Sequence, residues 1–271
     1  MTTNPKVTLV TCQSMPNLFP GEQGLLDELA SRGCDPQIKI WNDPDVDWSD
    51  AGMVVVRSVS DYAQDRAAFL EWTKQLRRVQ NSADVLNWNT DKHYLKELSA
   101  LGLPTIPTNW LEAEQKLTKH QIHTRFPAFG EFVVKPAVSS GVRDIGRYTT
   151  VDIRQRQAAM RQVQGLLGEG RSVMLQRYVE EIDLHGEISL VFFNGLVSHA
   201  VEKRSALHPA SVTNPEMHEA VVTADVADSV AWQWGEEIRR VLHDYVRIRR
   251  GHDEQFLFNR VDLVPDGRGS F

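Results

Sequence analysis

Cysteine is scarce: Cys12 and Cys34 are the only two, and their spacing is not that of a metal-ligand pair. Two thiols without a secretory context fit a reduced, cytoplasmic protein. No apolar run approaches the roughly 20 residues that span a bilayer, and the apolar stretch in the opening MTTNPKVTLVTC is too short for a signal peptide. A membrane partner is therefore not expected. Dense basic clusters are also missing. Net charge is −6, and the one tight run, Arg247, Arg249 and Arg250, trails a helical pattern where positive charge complements the helix C-terminus. Nothing tracks a phosphate backbone, so no nucleic-acid partner is expected. There is no Walker A sequence, since Gly165-Leu166-Leu167-Gly168 lacks its lysine, and no kinase-type glycine loop. Internal repeats and low-complexity tracts are absent.

What is present suffices for one large domain or two to three small ones: 271 residues, 41% of them hydrophobic. The first third alternates strand and helix patterns. Strands are expected at Val7–Thr11, Gln37–Trp41, Met53–Val56 and Val85–Trp88, and helices at Gly21–Gly33 and Ala63–Arg78. Such alternation with short connections implies a parallel, doubly wound sheet ending near residue 88. A helix over Asp91–Leu101 follows, capped by Asn89 or Thr90. Further strands are expected at Phe132–Lys135, Ser172–Tyr178, Ile188–Phe193, Leu196–Val201 and Phe256–Val264, and helices at Thr150–Leu167 and Val230–Tyr245. Asn194-Gly195 is a two-residue hairpin signal. Hairpin-joined strands with helices on one side make this second part α+β.

Five segments carry a resemblance when read in order. Trp88-Asn89-Thr90-Asp91-Lys92-His93-Tyr94-Leu95 looks like the helix start that opens the ATP-grasp fold, and Glu131-Phe132-Val133-Val134-Lys135-Pro136 looks like its "VVKP" strand. Leu175-Gln176-Arg177-Tyr178-Val179-Glu180 resembles its hinge. Gly186-Glu187 through Asn194-Gly195 is similar to the hairpin that follows, and Arg260-Val261-Asp262-Leu263-Val264 with Asp266-Gly267 to the "RVDLV…DG" strand. Any one alone is weak; together they are specific. Val46-Asp47-Trp48-Ser49, Val56-Arg57-Ser58 and Ile182–Glu187 resemble the branch that contains the O-ureido-serine cycloligase of cycloserine biosynthesis. The resemblance implies an ATP-grasp domain over 89–271, with lobes 89–178 and 179–271, behind a Rossmann-like substrate domain over 1–88.

It also implies roles. Lys92 and Lys135 would contact the α- and β-phosphates of ATP, under a flap made by Ser139, Ser140 and Gly141. Gln176, Arg177, Tyr178 and Val179 would read the adenine, and Glu181 or Asp183 would hold the ribose. Glu187, Lys203 and Arg260 would surround the reacting phosphate and carboxylate, with Asp262 on Mg²⁺ or Mn²⁺. Arg57 and Ser58, at a strand's carboxyl end, would bind the substrate carboxylate. Each has a plainer alternative: a solvated lysine for Lys92, a surface ion pair of Lys203 with Glu202 or Asp183, a structural Arg260–Asp262 pair. His185 and His199 read as structural or solvated. The implied reaction makes an acyl phosphate and ADP, after which an amine or other nucleophile forms an amide, peptide or ring. The substrate is a small amino-acid-like molecule, and the setting is specialised, antibiotic-type metabolism. Competing readings are a non-catalytic ATP-binding module and a small-molecule kinase. Relatives that form dimers or tetramers suggest a homo-oligomer. Loops such as Ala206–Met217 would shape the substrate pocket.

Two departures from the pattern stand out. The family's "DG" turn leads into a strand bearing further metal ligands, whereas this sequence stops at Phe271, so a shortened C-terminus is expected. Ser189 stands where relatives often carry an arginine two residues after Glu187.

Overall fold

A computed structural model describes residues 4–203, 207, 221–223, 228–250 and 256–271, with the backbone alone for 221–223, 249 and 250. The chain divides into two compact units, Met1–Lys92 with Val138–Gly141, and His93–Ala137 with Val142–Phe271.

The first unit holds a parallel four-stranded sheet of β1 (Lys6–Thr11), β2 (Asp35–Ile40), β3 (Met53–Ser58) and β4 (Val79–Gln80), in the order β2-β1-β3-β4. Helix α1 (Gly24–Ser31) connects β1 to β2, and α2 (Arg66–Gln75) connects β3 to β4. Asp65 caps α2 by accepting a hydrogen bond from the Ala68 amide. Phe69 and Trp72 on α2 pack with Val10, Trp41 and Val54 into an aromatic-rich core. The expected strand at Val85–Trp88 is instead helix α3 (Ala83–Asn89). Ser82 caps it, accepting from the Val85 amide at 3.3 Å, and Val85 and Leu86 are buried. A short apolar run fits either state, and the cap decides for helix. Thr90 then closes α3, so it does not start the next helix: α4 spans Tyr94–Ala100.

The second unit contains two antiparallel sheets. One has the order β5-β8-β6-β7, built from β5 (Thr108–Leu111), β6 (Glu131–Pro136), β7 (Gly146–Thr149) and β8 (Val173–Arg177). Helices α5 (Lys119–His123) and α6 (Ile153–Gly168) cover it; Phe126, Phe132, Val134, Val163 and Leu175 are among the residues of this core. Asp152 caps α6, which places its start three residues after the expected Thr150. Helix α7 (Glu181–His185) joins β8 to β9 (Glu187–Phe193). The second sheet has the order β11-β10-β9-β12, with β10 (Leu196–Lys203), β11 (Val221–Thr223) and β12 (Phe258–Leu263). Asn194 and Gly195 both have positive φ, 52° and 76°, the backbone of a type I′ hairpin turn. Helix α8 (Ser229–Arg250) packs on one face of this sheet against Leu190, Phe192, Val261 and Leu263. Strands β4, β5, β7 and β11 and helices α5 and α7 were not anticipated from sequence. No helix among the described residues is long and apolar enough to cross a membrane.

Candidate active site

The period of a β-strand separates charge from core here. Ile188, Leu190 and Phe192 of β9, with Val261 and Leu263 of β12, point toward α8. The alternate residues Glu187, Ser189, Arg260 and Asp262 therefore share the opposite face. Register pairs Asp262 with Ser189 across the β9–β12 ladder, and Lys203 with Glu187 across β9–β10. Four of the residues anticipated for the reacting groups are thus brought together.

Their contacts are specific. Arg260 forks onto Asp262, Nε to Oδ1 at 2.7 Å and Nη2 to Oδ2 at 2.8 Å. The Ser189 hydroxyl donates to Asp262 Oδ1 at 2.6 Å, and Lys203 Nζ lies 3.5 Å from the same oxygen. Of the expected alternatives for Lys203, the structure shows neither Glu202 nor Asp183; Asp262 is the partner. Asp262 keeps 37% of its side chain exposed, yet its carboxyl is crowded enough that burial works against the charge. Arg260, Lys203 and Ser189 outweigh that and hold its pKa below the usual value. Glu187 is pushed the other way. Burial raises its pKa, and the negative charge of Asp262 adds to the rise, against Lys203, Lys135 and Arg260. Lys135, on β6, has its pKa lowered by burial, with Glu187 opposing the shift. Two carboxylates and three cations therefore share one electrostatic environment. Such displaced acid–base groups cluster at functional sites.

Among the described residues, no three His, Cys, Asp or Glu side chains form a closed metal cage. Asp262 with Glu187 beside it nonetheless suits Mg²⁺, which is commonly held by one or two carboxylates while phosphate oxygens and water complete its shell. Burial and then the negative charge of Asp262 raise Glu187, and a cation held by the two carboxylates would offset the second of these.

In the first unit, Lys92 is not a solvated lysine. Its ammonium donates to the Ser139 carbonyl at 2.9 Å and to the Ser139 hydroxyl at 2.7 Å. Tyr62 donates to the same carbonyl at 3.1 Å. Ser139 is buried, while Gly141 takes φ +61°, a conformation that favours glycine. At the carboxyl end of β3, Arg57 and Ser58 both engage Glu22, a residue the sequence did not single out. The Ser58 hydroxyl also accepts from the Phe19 amide at 2.9 Å.

The segment Gln176–Val179 leaves β8 and leads to α7. Gln176 is buried, and its amide donates to the Thr108 hydroxyl at 2.7 Å. Arg177 lies over the Phe129 ring at 4.1 Å. The Tyr178 amide donates to the Glu131 carbonyl at 2.9 Å, and its hydroxyl donates to Asp183. Asp183 also receives Arg147 Nη1 at 2.7 Å. Glu181 stands 3.4 Å from His185 Nε2 with a third of its side chain open. His199 accepts from or donates to the Ser198 hydroxyl at 2.8 Å. Arg147, Glu131 and Glu22 were missed from sequence. Gly146-Arg147-Tyr148-Thr149 carried no assignment from sequence, and a strand assignment there was the signal that would have drawn attention to Arg147. Except for Leu207, the 206–217 stretch lies outside the described residues.

Comparison with known proteins extends the geometry. Residues 7–87 match the family model for the N-terminal domain of D-cycloserine synthetase DcsG. The cycloserine biosynthesis protein DcsG of Streptomyces lavendulae is 32% identical over 263 residues, which cover 91% of this chain and 81% of that protein. The crystal structure of D-cycloserine synthetase DcsG superposes with a TM-score of 0.80 at 30% identity, covering 97% of this chain and 88% of that one. A RimK domain ATP-grasp protein from Sphaerobacter thermophilus shares the fold, with a TM-score of 0.62 at 15% identity over 97% of this chain and 88% of the other. With its two units and the charged face of the β9–β12 sheet, the chain belongs to the D-cycloserine synthetase DcsG family of ATP-grasp ligases.

Proposed function

We propose that this ATP-dependent ligase activates the carboxylate of an O-ureido-serine-like amino acid and joins it to a nitrogen of the same molecule, closing a ring. The observation that carries the reading is the constellation on one sheet face: Lys203, Arg260, Asp262 and Glu187, tied by the Arg260–Asp262 fork. The name of the Streptomyces relative supports a cyclic product.

The substrate carboxylate attacks the γ-phosphate of ATP, giving an acyl phosphate and ADP. Lys203 and Arg260 neutralise charge on the transferred phosphoryl group. Lys92 and Lys135 contact the α- and β-phosphates, with Ser139, Ser140 and Gly141 as the covering loop. The hydrogen bonds from Lys92 to Ser139 support a shared role for these residues. Asp262 and Glu187 would hold Mg²⁺, which would supply charge neutralisation at the phosphates. Gln176 to Val179 present backbone groups to the adenine. Glu181 takes the ribose hydroxyls, because Asp183 is already committed to Arg147 and Tyr178. Arg57, with Ser58, receives the substrate carboxylate, and Glu22 fixes both side chains. The nitrogen then displaces phosphate from the acyl phosphate.

The test is nucleotide turnover with Mg²⁺-ATP and a panel of amino acids that includes O-ureido-serine. The expected result is substrate-dependent release of ADP and phosphate in equal amounts. AMP with pyrophosphate overturns the acyl-phosphate route, and a stable phosphorylated amino acid indicates a kinase. Nucleotide binding without any turnover leaves a binding module.

A further inference from the structure

We propose that Arg147 is a positioning residue that sets nucleotide affinity by locking the linker between β8 and α7 in one conformation; the inference rests on the reading that this linker receives the adenosine. Arg147 sits on β7, away from the charged face of the β9–β12 sheet, and its side chain is only 14% exposed. All three of its nitrogens are engaged. Nε donates to Glu131 Oε2 at 3.0 Å, and Nη2 donates to the same oxygen. Nη1 donates to Asp183 Oδ2 at 2.7 Å and to the Leu207 carbonyl at 3.1 Å. The guanidinium also lies over the Tyr178 ring, 3.6 Å from its centroid, a distance typical of a cation–π contact.

These contacts close a circuit around the linker. Glu131 holds Tyr178 by its backbone, accepting from the amide at 2.9 Å, while its carboxylate holds Arg147. Tyr178 turns its hydroxyl onto Asp183, and Asp183 returns to Arg147. One guanidinium therefore fixes the ring, the backbone and the first turn of α7 together. Lysine cannot reproduce this, because a point charge has neither the fork nor the planar face. None of Arg147, Glu131, Tyr178 and Asp183 belongs to the apolar cluster of this sheet. A buried ion network is weak evidence for stability, since well-packed apolar groups commonly do as well. Its placement on the linker, and not under it, points to geometry as its use.

The measurement is calorimetric titration of the full chain with ADP and, separately, with inorganic tripolyphosphate, which reads the phosphate subsite without the base. Arg147→Gln is expected to weaken ADP about tenfold, the cost of losing a hydrogen bond to a charged group, and to leave tripolyphosphate unchanged. Arg147→Lys should fall between, as should Tyr178→Phe, which keeps the ring but loses the bond to Asp183. If Arg147→Gln does not fold, Arg147→Lys carries the same comparison. Unchanged ADP affinity in folded variants overturns the proposal, as does a parallel loss for both ligands, which is the mark of a general structural role. A wild type that binds tripolyphosphate but not ADP overturns the adenosine reading itself, a result distinct from a wild type that binds ADP and variants that match it.

Discussion

The Ser189 hydroxyl donates a hydrogen bond to Asp262 directly across the β9–β12 ladder, at 2.6 Å, and its side chain is fully buried. Replacing it with alanine removes a donor to a charged acceptor. Ser189→Ala should lose about 1–2 kcal/mol in urea denaturation at pH 7. Asp262 has its pKa depressed in the folded state, so its contacts stabilise fully above the ordinary aspartate value of 3.8 and fade as pH falls through the lowered one. The gap between variant and wild type should accordingly narrow in acid. A gap that stays constant would show that Ser189 acts by packing alone.

Glu187 carries the opposite sign. Its carboxyl is raised above 4.5 by burial and by Asp262, so the folded state holds the proton more tightly than the unfolded one. The ionised form then costs stability above the raised value, and the cost disappears below 4.5. Glu187→Gln should melt higher than wild type at pH 7, with the advantage shrinking toward pH 4.5, while ligase turnover falls. A lower melting temperature at neutral pH would contradict the assignment.

Asp262 is the partner of Lys203 at 3.5 Å, and the proposed mechanism has this ammonium stabilise charge on the phosphoryl group. Lys203→Met should cut kcat for ADP release by about 10²–10³-fold, as removal of one oxyanion-stabilising donor does elsewhere. ADP affinity should change far less. Comparable losses in both would reassign Lys203 to ground-state nucleotide binding.

Gly235 lies inside α8, where alanine would normally gain up to about 1 kcal/mol in helix propensity. Here an added Cβ would meet Leu190 Cδ1 at 2.4 Å and Phe192 Cζ at 3.3 Å. Overpacking costs about 1–3 kcal/mol, so packing wins over propensity. Gly235→Ala is expected to be less stable than wild type by thermal melting, and a stabilised variant would mean that α8 shifts freely on the sheet.

Local chemistry explains what was readable in the sequence. The Asn194-Gly195 turn, the strands around Lys135 and Asp262, and the long helix before residue 250 all carry their own signals, and the structure has them. Val85–Trp88 was misread because four apolar-rich residues have no period of their own; the Ser82 cap, three residues before Val85, outranks their strand preference. The charged cluster was recognised by motif, but its partners were not. Register decides that Ser189 faces Asp262; outside that cluster, Arg57 finds Glu22 across 35 residues, and Arg147 finds Glu131 across 16 and Asp183 across 36. No local pattern encodes such separations.

The alternation along β9 and β12 has an evolutionary corollary. Odd-numbered positions of β9 share the face of the proposed site and even-numbered ones face α8, so on that proposal mutations that retune catalysis and mutations that retune folding fall on different residues of the same strand. Drift can sample one set while selection holds the other. Insertion or deletion of a single residue within β9 has no such freedom, because it exchanges the two sets at once. Length variation among descendants of this chain is therefore expected at the Asn194-Gly195 tip and not within the strand.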